Sequence, residues 1–127
     1  VNEENARPRK RYISPATREE VYALYYDELR RKIEDHGTIH FPQEGGKKLY
    51  GELTMVITVN RDGRVVDAEV VESSGKRQLD RRARAIVQAL TFNRFNEGML
   101  RRADQIVVVS RFKFTRDETL STTVTSQ

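Results

Sequence analysis

From Glu52 to Val59 apolar and polar residues alternate, with Leu53, Met55, Ile57 and Val59 in one set of positions and Glu52, Thr54 and Thr58 in the other. A period of two puts the sets on opposite faces of a strand, so this stretch is predicted to be a first strand with one buried face. Asn60-Arg61-Asp62-Gly63-Arg64 supplies a short hairpin turn, with Gly63 at the position that needs positive φ. A second strand follows from Arg64 to about Glu72, with Val66, Ala68 and Val70 facing in and Asp67 and Glu69 facing out. A third is predicted from Gln105 to Phe114, where Ile106, Val108, Phe112 and Phe114 share a face and Ser110 interrupts it.

Two other stretches have the helical period. Tyr22, Tyr25, Tyr26, Leu29 and Ile33 fall at i, i+3, i+4, i+7 and i+11, which predicts a long helix over about 15–36. Its start is read from Pro15 in the first turn and a capping box of Thr17 and Glu20, its stop from Gly37 as a C-cap. A second helix is predicted from Gln78 to Leu90: Leu79, Ala83, Ile86, Val87 and Leu90 line one face, and Arg81, Arg82, Arg84 and Gln88 the other. Ser73-Ser74-Gly75 is its hinge. The connector from Thr38 to Leu49 turns around Phe41-Pro42, and a loop holding Phe92, Phe95 and Gly98 leads to the third strand.

Chain direction then narrows the topology. The second strand is antiparallel to the first, and a helical crossover returns the third parallel to the second, so the third pairs beside the first. The expected fold is α+β: a three-stranded antiparallel sheet in the order 2-1-3, with both helices, the long N-terminal one included, packed on one face. Residues 1–13 read as a basic linker carrying Arg7, Arg9, Lys10 and Arg11, the functional alternative being a polybasic patch. Residues 14–116 form the domain, with its core over 41–115, and 117–127 form a polar tail in which Leu120 to Val124 could add a short strand.

Composition narrows the chemistry more than it names it. The 127 residues fit one domain and contain no cysteine, which removes disulfides and thiolate metal or redox sites. No apolar run approaches the roughly 18 to 20 residues needed to span a bilayer, and no signal peptide is visible. A chain that starts at Val1 without methionine is expected to be a piece of something longer. The net charge of +4 is mild against 33% charged residues of both signs.

No catalytic or metal constellation emerges. His36 and His40 are four apart, but Gly37 is read as breaking the helix that would align them, and no third ligand is near. Ser73-Ser74 lacks a histidine partner and the nucleophile-elbow pattern. Asp67, Glu69 and Glu72 are solvated strand carboxylates, and their charge on the open sheet face opposes nucleic acid, leaving only a nonspecific patch at the helix arginines with Arg101 and Arg102. Neither enzyme activity, cofactor, metal nor nucleic-acid partner is expected.

The informative feature is an edge. The second strand is blunted by Asp67, Glu69 and Glu72, whereas the third is apolar on both faces from Ile106 through Val107 and Val108 to Val109. Such an edge is either covered, by the tail or by a second copy in a dimer, or open to a partner strand. On that second reading the contact residues are Gln105, Ile106, Val107, Val108, Val109, Ser110, Arg111 and Phe112, with Phe41 and Pro42 as secondary candidates.

Tyr50-Gly51-Glu52-Leu53, Asp62-Gly63-Arg64-Val65, Ser73-Ser74-Gly75 with Leu79-Asp80, Phe92 and the final strand ending Phe112-Lys113-Phe114 occur together in order. In this the chain resembles the periplasmic C-terminal domain of TonB over roughly Phe41 to Thr115. The family's Tyr-Pro is Phe41-Pro42 here, and its Phe-x-Pro becomes Phe92-Asn93-Arg94. The segment from Tyr12-Ile13-Ser14 onward resembles TonB-like proteins with an extra long helix. The resemblance implies a non-enzymatic domain, held at the inner membrane by an upstream anchor and driven by ExbB and ExbD. It implies that the last strand grips the TonB box of outer-membrane receptors importing siderophores, haem or cobalamin. The alternative is a related scaffold that pairs by the same edge with another protein or with itself.

Overall fold

A computed structural model describes residues 8–13 and 20–124. Its elements are β1 (Lys10–Ile13), α1 (Glu20–Ile39), β2 (Gln43–Glu44), β3 (Lys47–Lys48), β4 (Gly51–Asn60), β5 (Val65–Glu72), α2 (Arg77–Gln88), α3 (Glu97–Leu100), β6 (Gln105–Phe114) and β7 (Leu120–Val124). The helix-start signals at Pro15 and Thr17 lie outside the described residues.

The fold is mixed α+β, but the three-stranded antiparallel sheet is corrected. The main sheet has five strands in the order β1-β6-β4-β5, with β7 also on β6. β4, β5 and β6, the three expected strands, are antiparallel to their neighbours, while β1 joins β6 in parallel. The added strands come from segments read as linker and tail. Lys10 to Ile13 registers against Gln105 to Val108, and Leu120 to Val124 against Phe114 to Ser110.

One face of the sheet carries the core, in which Leu53, Met55, Ile57 and Val59 of β4 and Ile106, Val108, Phe112 and Phe114 of β6 are buried. The helices supply the opposing layer, as an apolar stripe must be buried against another element. From α1 come Tyr22, Tyr25, Leu29 and Ile33, and from α2 Leu79, Ala83, Ile86 and Val87. Tyr25 meets Phe95 edge to face at 5.3 Å, and its hydroxyl donates to the Asn93 carbonyl at 2.6 Å. Burial of that phenol raises its pKa.

Local parity fails at one predicted position. Val66 was expected inside, yet it is 52% exposed, because Thr58 opposes Asp67 while Val59 opposes Val65. The extra residue is a bulge that turns Val66 out and leaves Val65 to pack against the core. A second register shift near Thr54 likewise leaves Val71 49% exposed.

Two glycines set the packing. Gly63 has φ of +90°, and a Cβ there would sit 2.1 Å from the Phe92 carbonyl oxygen. Phe92 N–H donates to the Gly63 carbonyl at 2.8 Å, so the turn and the post-helix loop touch backbone to backbone. Gly37, expected to end α1, lies inside it and is buried. A Cβ on Gly37 would lie 2.3 Å from Leu120 Cδ2, so its glycine is explained by close approach of β7, not by a helix stop.

Candidate partner-binding edge

β6 is the centre of the site. Its Ile106, Val108, Ser110 and Phe112 share registers with Val59, Ile57, Met55 and Leu53 of the core face, so Gln105, Val107, Val109 and Arg111 belong to the other. Val107 and Val109 are buried in spite of facing away from the helices. Arg111 donates through Nε to Glu52 Oε1 at 2.9 Å, and Ser110 Oγ to the Thr123 carbonyl at 3.0 Å.

The edge, expected to be either covered or open to a partner, is covered by two strands of opposite direction, β1 along Gln105 to Val108 and β7, from the tail, along Ser110 to Phe114. β1 is held at its start by Arg9. The Arg9 guanidinium donates to the Leu100 and Arg101 carbonyls at 2.7 and 3.0 Å and to Asp104, whose carboxylate also accepts from the Arg9 N–H at 2.9 Å. Hydrogen bonds from Arg9 lower the Asp104 pKa, and the Arg9 carbonyl accepts in turn from the N–H groups of Asp104 and Gln105. Arg11 then lies over the Tyr22 ring at 5.2 Å.

β7 is held from the helix side. Leu120 fills the notch at Gly37, the Leu120 N–H donates to Thr38 Oγ1 at 3.1 Å, and the Thr122 N–H donates to Glu34 Oε2 at 2.7 Å. Those side chains satisfy N–H groups that an outermost strand would otherwise leave unpaired. Glu34 is itself fixed by Arg30 Nη1 at 2.7 Å. The β6–β7 turn is built on Asp117, whose carboxylate accepts from the hydroxyls of Thr115 and Thr119 and whose pKa is lowered by those bonds.

Phe41 and Pro42, the secondary candidates, are inside. The Phe41 ring lies 5.7 Å from Phe114 and 5.9 Å from Tyr50, which makes it a core anchor. His36 and His40 do come together, with ring centroids 4.6 Å apart, because α1 continues through Gly37. Among the described residues no group of three metal-binding side chains forms around them.

The residues whose roles sequence reasoning missed are Arg9, Asp104, Glu34 and Thr38. The short strand read as an option at Leu120 to Val124 is present as β7. Together β6 and its two flanks, β1 and β7, form one covered edge of the sheet, and among the described residues no group of three metal-binding side chains forms.

The family is settled by comparison. The model for the C-terminal domain of the Gram-negative bacterial TonB protein matches residues 38–115, and the chain belongs to that family. It is a TonB-like periplasmic domain, of a kind that transduces energy or acts as a scaffold without enzymatic activity. No curated protein and no solved structure matches the chain. No helix among the described residues is long and apolar enough to cross a membrane.

Proposed function

We propose that this domain binds a short extended segment of an outer-membrane receptor by strand addition along Gln105 to Phe112 of β6. Through it the work drawn from the inner-membrane proton gradient by ExbB and ExbD is passed to the receptor, the full protein being anchored in the inner membrane. One observation carries the reading. Both strands that cover β6 lie outside residues 38–115, so the family part of the sheet leaves that edge to be filled from elsewhere.

In this chain its own flanks fill the edge, and the receptor segment replaces β7 first. Exchange of one strand for another keeps the ladder intact, each backbone bond being worth about 0.5 to 1.5 kcal/mol net, so the two states differ by their anchors. Each flank buries one aliphatic side chain among its described ones, Leu120 in β7 and Ile13 in β1; β7 is held besides by hydrogen bonds to Thr38, Glu34 and Ser110, and β1 by the multiply bonded Arg9 clamp. Displacing β7 opens Ser110 to Phe112, and pairing extends from there.

A covalent lock tests this. Lys113 and Ser121 are exposed and directly opposed, and the chain has no cysteine of its own. In Lys113→Cys/Ser121→Cys the oxidised protein is expected to bind a synthetic TonB-box peptide at least tenfold more weakly than the reduced protein, a difference of about 1.4 kcal/mol. Equal affinity in both states, with amide shifts away from β6, refutes strand addition at this edge.

A further inference from the structure

The opposite side of the sheet ends in β5, whose outer edge pairs with no strand among the described residues. α2 runs back alongside it. The Ser73 to Lys76 turn joins β5 to the start of α2, and beyond the helix Thr91 bridges back to Arg64 at the start of β5. Between helix and edge lies a groove of about 420 Å³, walled by the strand segment Asp67 to Val70 and by Arg77, Arg81 and Arg84.

The charges in that groove are sorted by face. Ala68 and Val70 register with Ile57 and Met55 on the helix side, whereas Asp67 and Glu69 register with Thr58 and Val56 on the other. The three arginines are exposed, and none forms an ion pair with a described residue. Asp80, the one carboxylate beside them on α2, is taken up by Ser73 Oγ and by the Ser74 N–H and hydroxyl. The helix side of the groove therefore presents Arg77, Arg81 and Arg84, free of direct ion pairs, next to a sheet edge that pairs with no strand among the described residues, while Asp67 and Glu69 line its strand side.

The spacing suits an added strand. Arg77 and Arg81 are one helical turn apart, about 6 Å along the axis, and alternate residues of a strand repeat at about 6.7 Å. A strand laid on β5 would put every second side chain over the arginines and the intervening ones beside Asp67 and Glu69. A second copy of β5 fits badly, since antiparallel self-pairing brings those acids against each other. The exposed bulge residues Val66 and Val71 bracket the seat and limit it to the four residues between them.

We propose that the β5 edge and α2 form a second peptide-binding groove, which takes an extended segment carrying carboxylates at alternate positions. This groove is on the far side of the sheet from β6 and does not depend on what β6 binds.

Two seven-residue peptides of identical composition decide the matter, Thr-Glu-Thr-Glu-Thr-Glu-Thr and Thr-Thr-Glu-Glu-Glu-Thr-Thr, each blocked at both ends. Titrated into the isotopically labelled full chain, the alternating peptide is expected to shift the amides of Asp67 to Val70 and the Nε–H signals of Arg77, Arg81 and Arg84. Its affinity should exceed that of the clustered peptide by about fivefold and fall by about tenfold in Arg81→Glu, a surface change that leaves the core untouched. Equal affinity of the two peptides, an unchanged affinity in Arg81→Glu, or shifts centred on β6 or on Arg101 and Arg102 would each overturn the proposal.

Discussion

Replacing Gly37 with alanine isolates the contact between α1 and β7. In a helix interior alanine is favoured over glycine by about 0.5 to 1 kcal/mol, so on propensity alone Gly37→Ala should stabilise the protein. The new methyl, however, would sit 2.3 Å from Leu120 Cδ2, 3.3 Å from Leu120 Cβ and 3.4 Å from Leu120 Cγ. Rotating the leucine away from its buried position relieves the first contact, and the one at Cβ requires β7 to give by a few tenths of an ångström. Leu120 is only 3% exposed, so it has little room to give, and overpacking of a filled site costs about 1 to 3 kcal/mol, against the helical gain of about 0.5 to 1 kcal/mol. A net loss of about 1 kcal/mol is therefore expected by that difference. It should appear as faster amide exchange in the β6–β7 ladder, with β4 and β5 unchanged. The decisive comparison is the same change in a Leu120→Ala background, where the obstruction is gone and Gly37→Ala should turn stabilising by about 0.5 to 1 kcal/mol. A stabilising Gly37→Ala in the otherwise unaltered protein, with exchange at β7 untouched, would refute the reasoning.

Three further outcomes follow from geometry already described. Gly63→Val should cost about 2 kcal/mol or more in chemical denaturation, since its φ of +90° is combined with a 2.1 Å approach to the Phe92 carbonyl; an unchanged midpoint would contradict it. Partial burial opposes the charge of Asp80, but bonds from Ser73 and Ser74 outweigh it and lower its pKa. The stabilisation from Asp80 is thus present above its unfolded value of about 3.9 and is lost as pH falls through the lower folded value, so Asp80→Ala should destabilise at neutral pH and less in acid; a stability difference that grows on acidification reverses the sign. Arg9→Ala should speed exchange at the β1–β6 pairing and leave β7 protection intact, and equal loosening of both strands would show that they are not held independently.

Alternation made β4 and β5 readable, and the stripe of Tyr22, Tyr25, Leu29 and Ile33 made α1 readable, because each pattern is set by one buried face. The bulge at Val66 escaped this logic: a single extra residue inverts parity without changing composition. β1 was hidden for a different reason. Lys10-Arg11-Tyr12-Ile13 has one apolar anchor, Ile13, and a parallel partner 95 residues away, with no turn to announce the pairing. Gly37 was misread because a glycine that admits a neighbour and one that ends a helix look alike in a sequence. At the candidate site, the apolar run from Ile106 to Val109 marked β6 as an edge either covered or open to a partner; that β1 and β7 cover it depends on Arg9, Glu34 and Thr38, whose side chains act across long chain separations.

The two flanks of β6 also differ in when they can arrive. Phe114 and Leu120 are separated by a short turn, whereas Lys10 and Gln105 lie 95 positions apart in the chain. Loop closure across that span costs about 2 kcal/mol more than across the turn. Hairpins form in microseconds, and long-range pairings form later. In a folding chain the second half of β6 is sealed early by its own hairpin, while Gln105 to Val108 is the last edge to close. A competing strand that meets the newly made protein finds that half of the ladder open for the longer time.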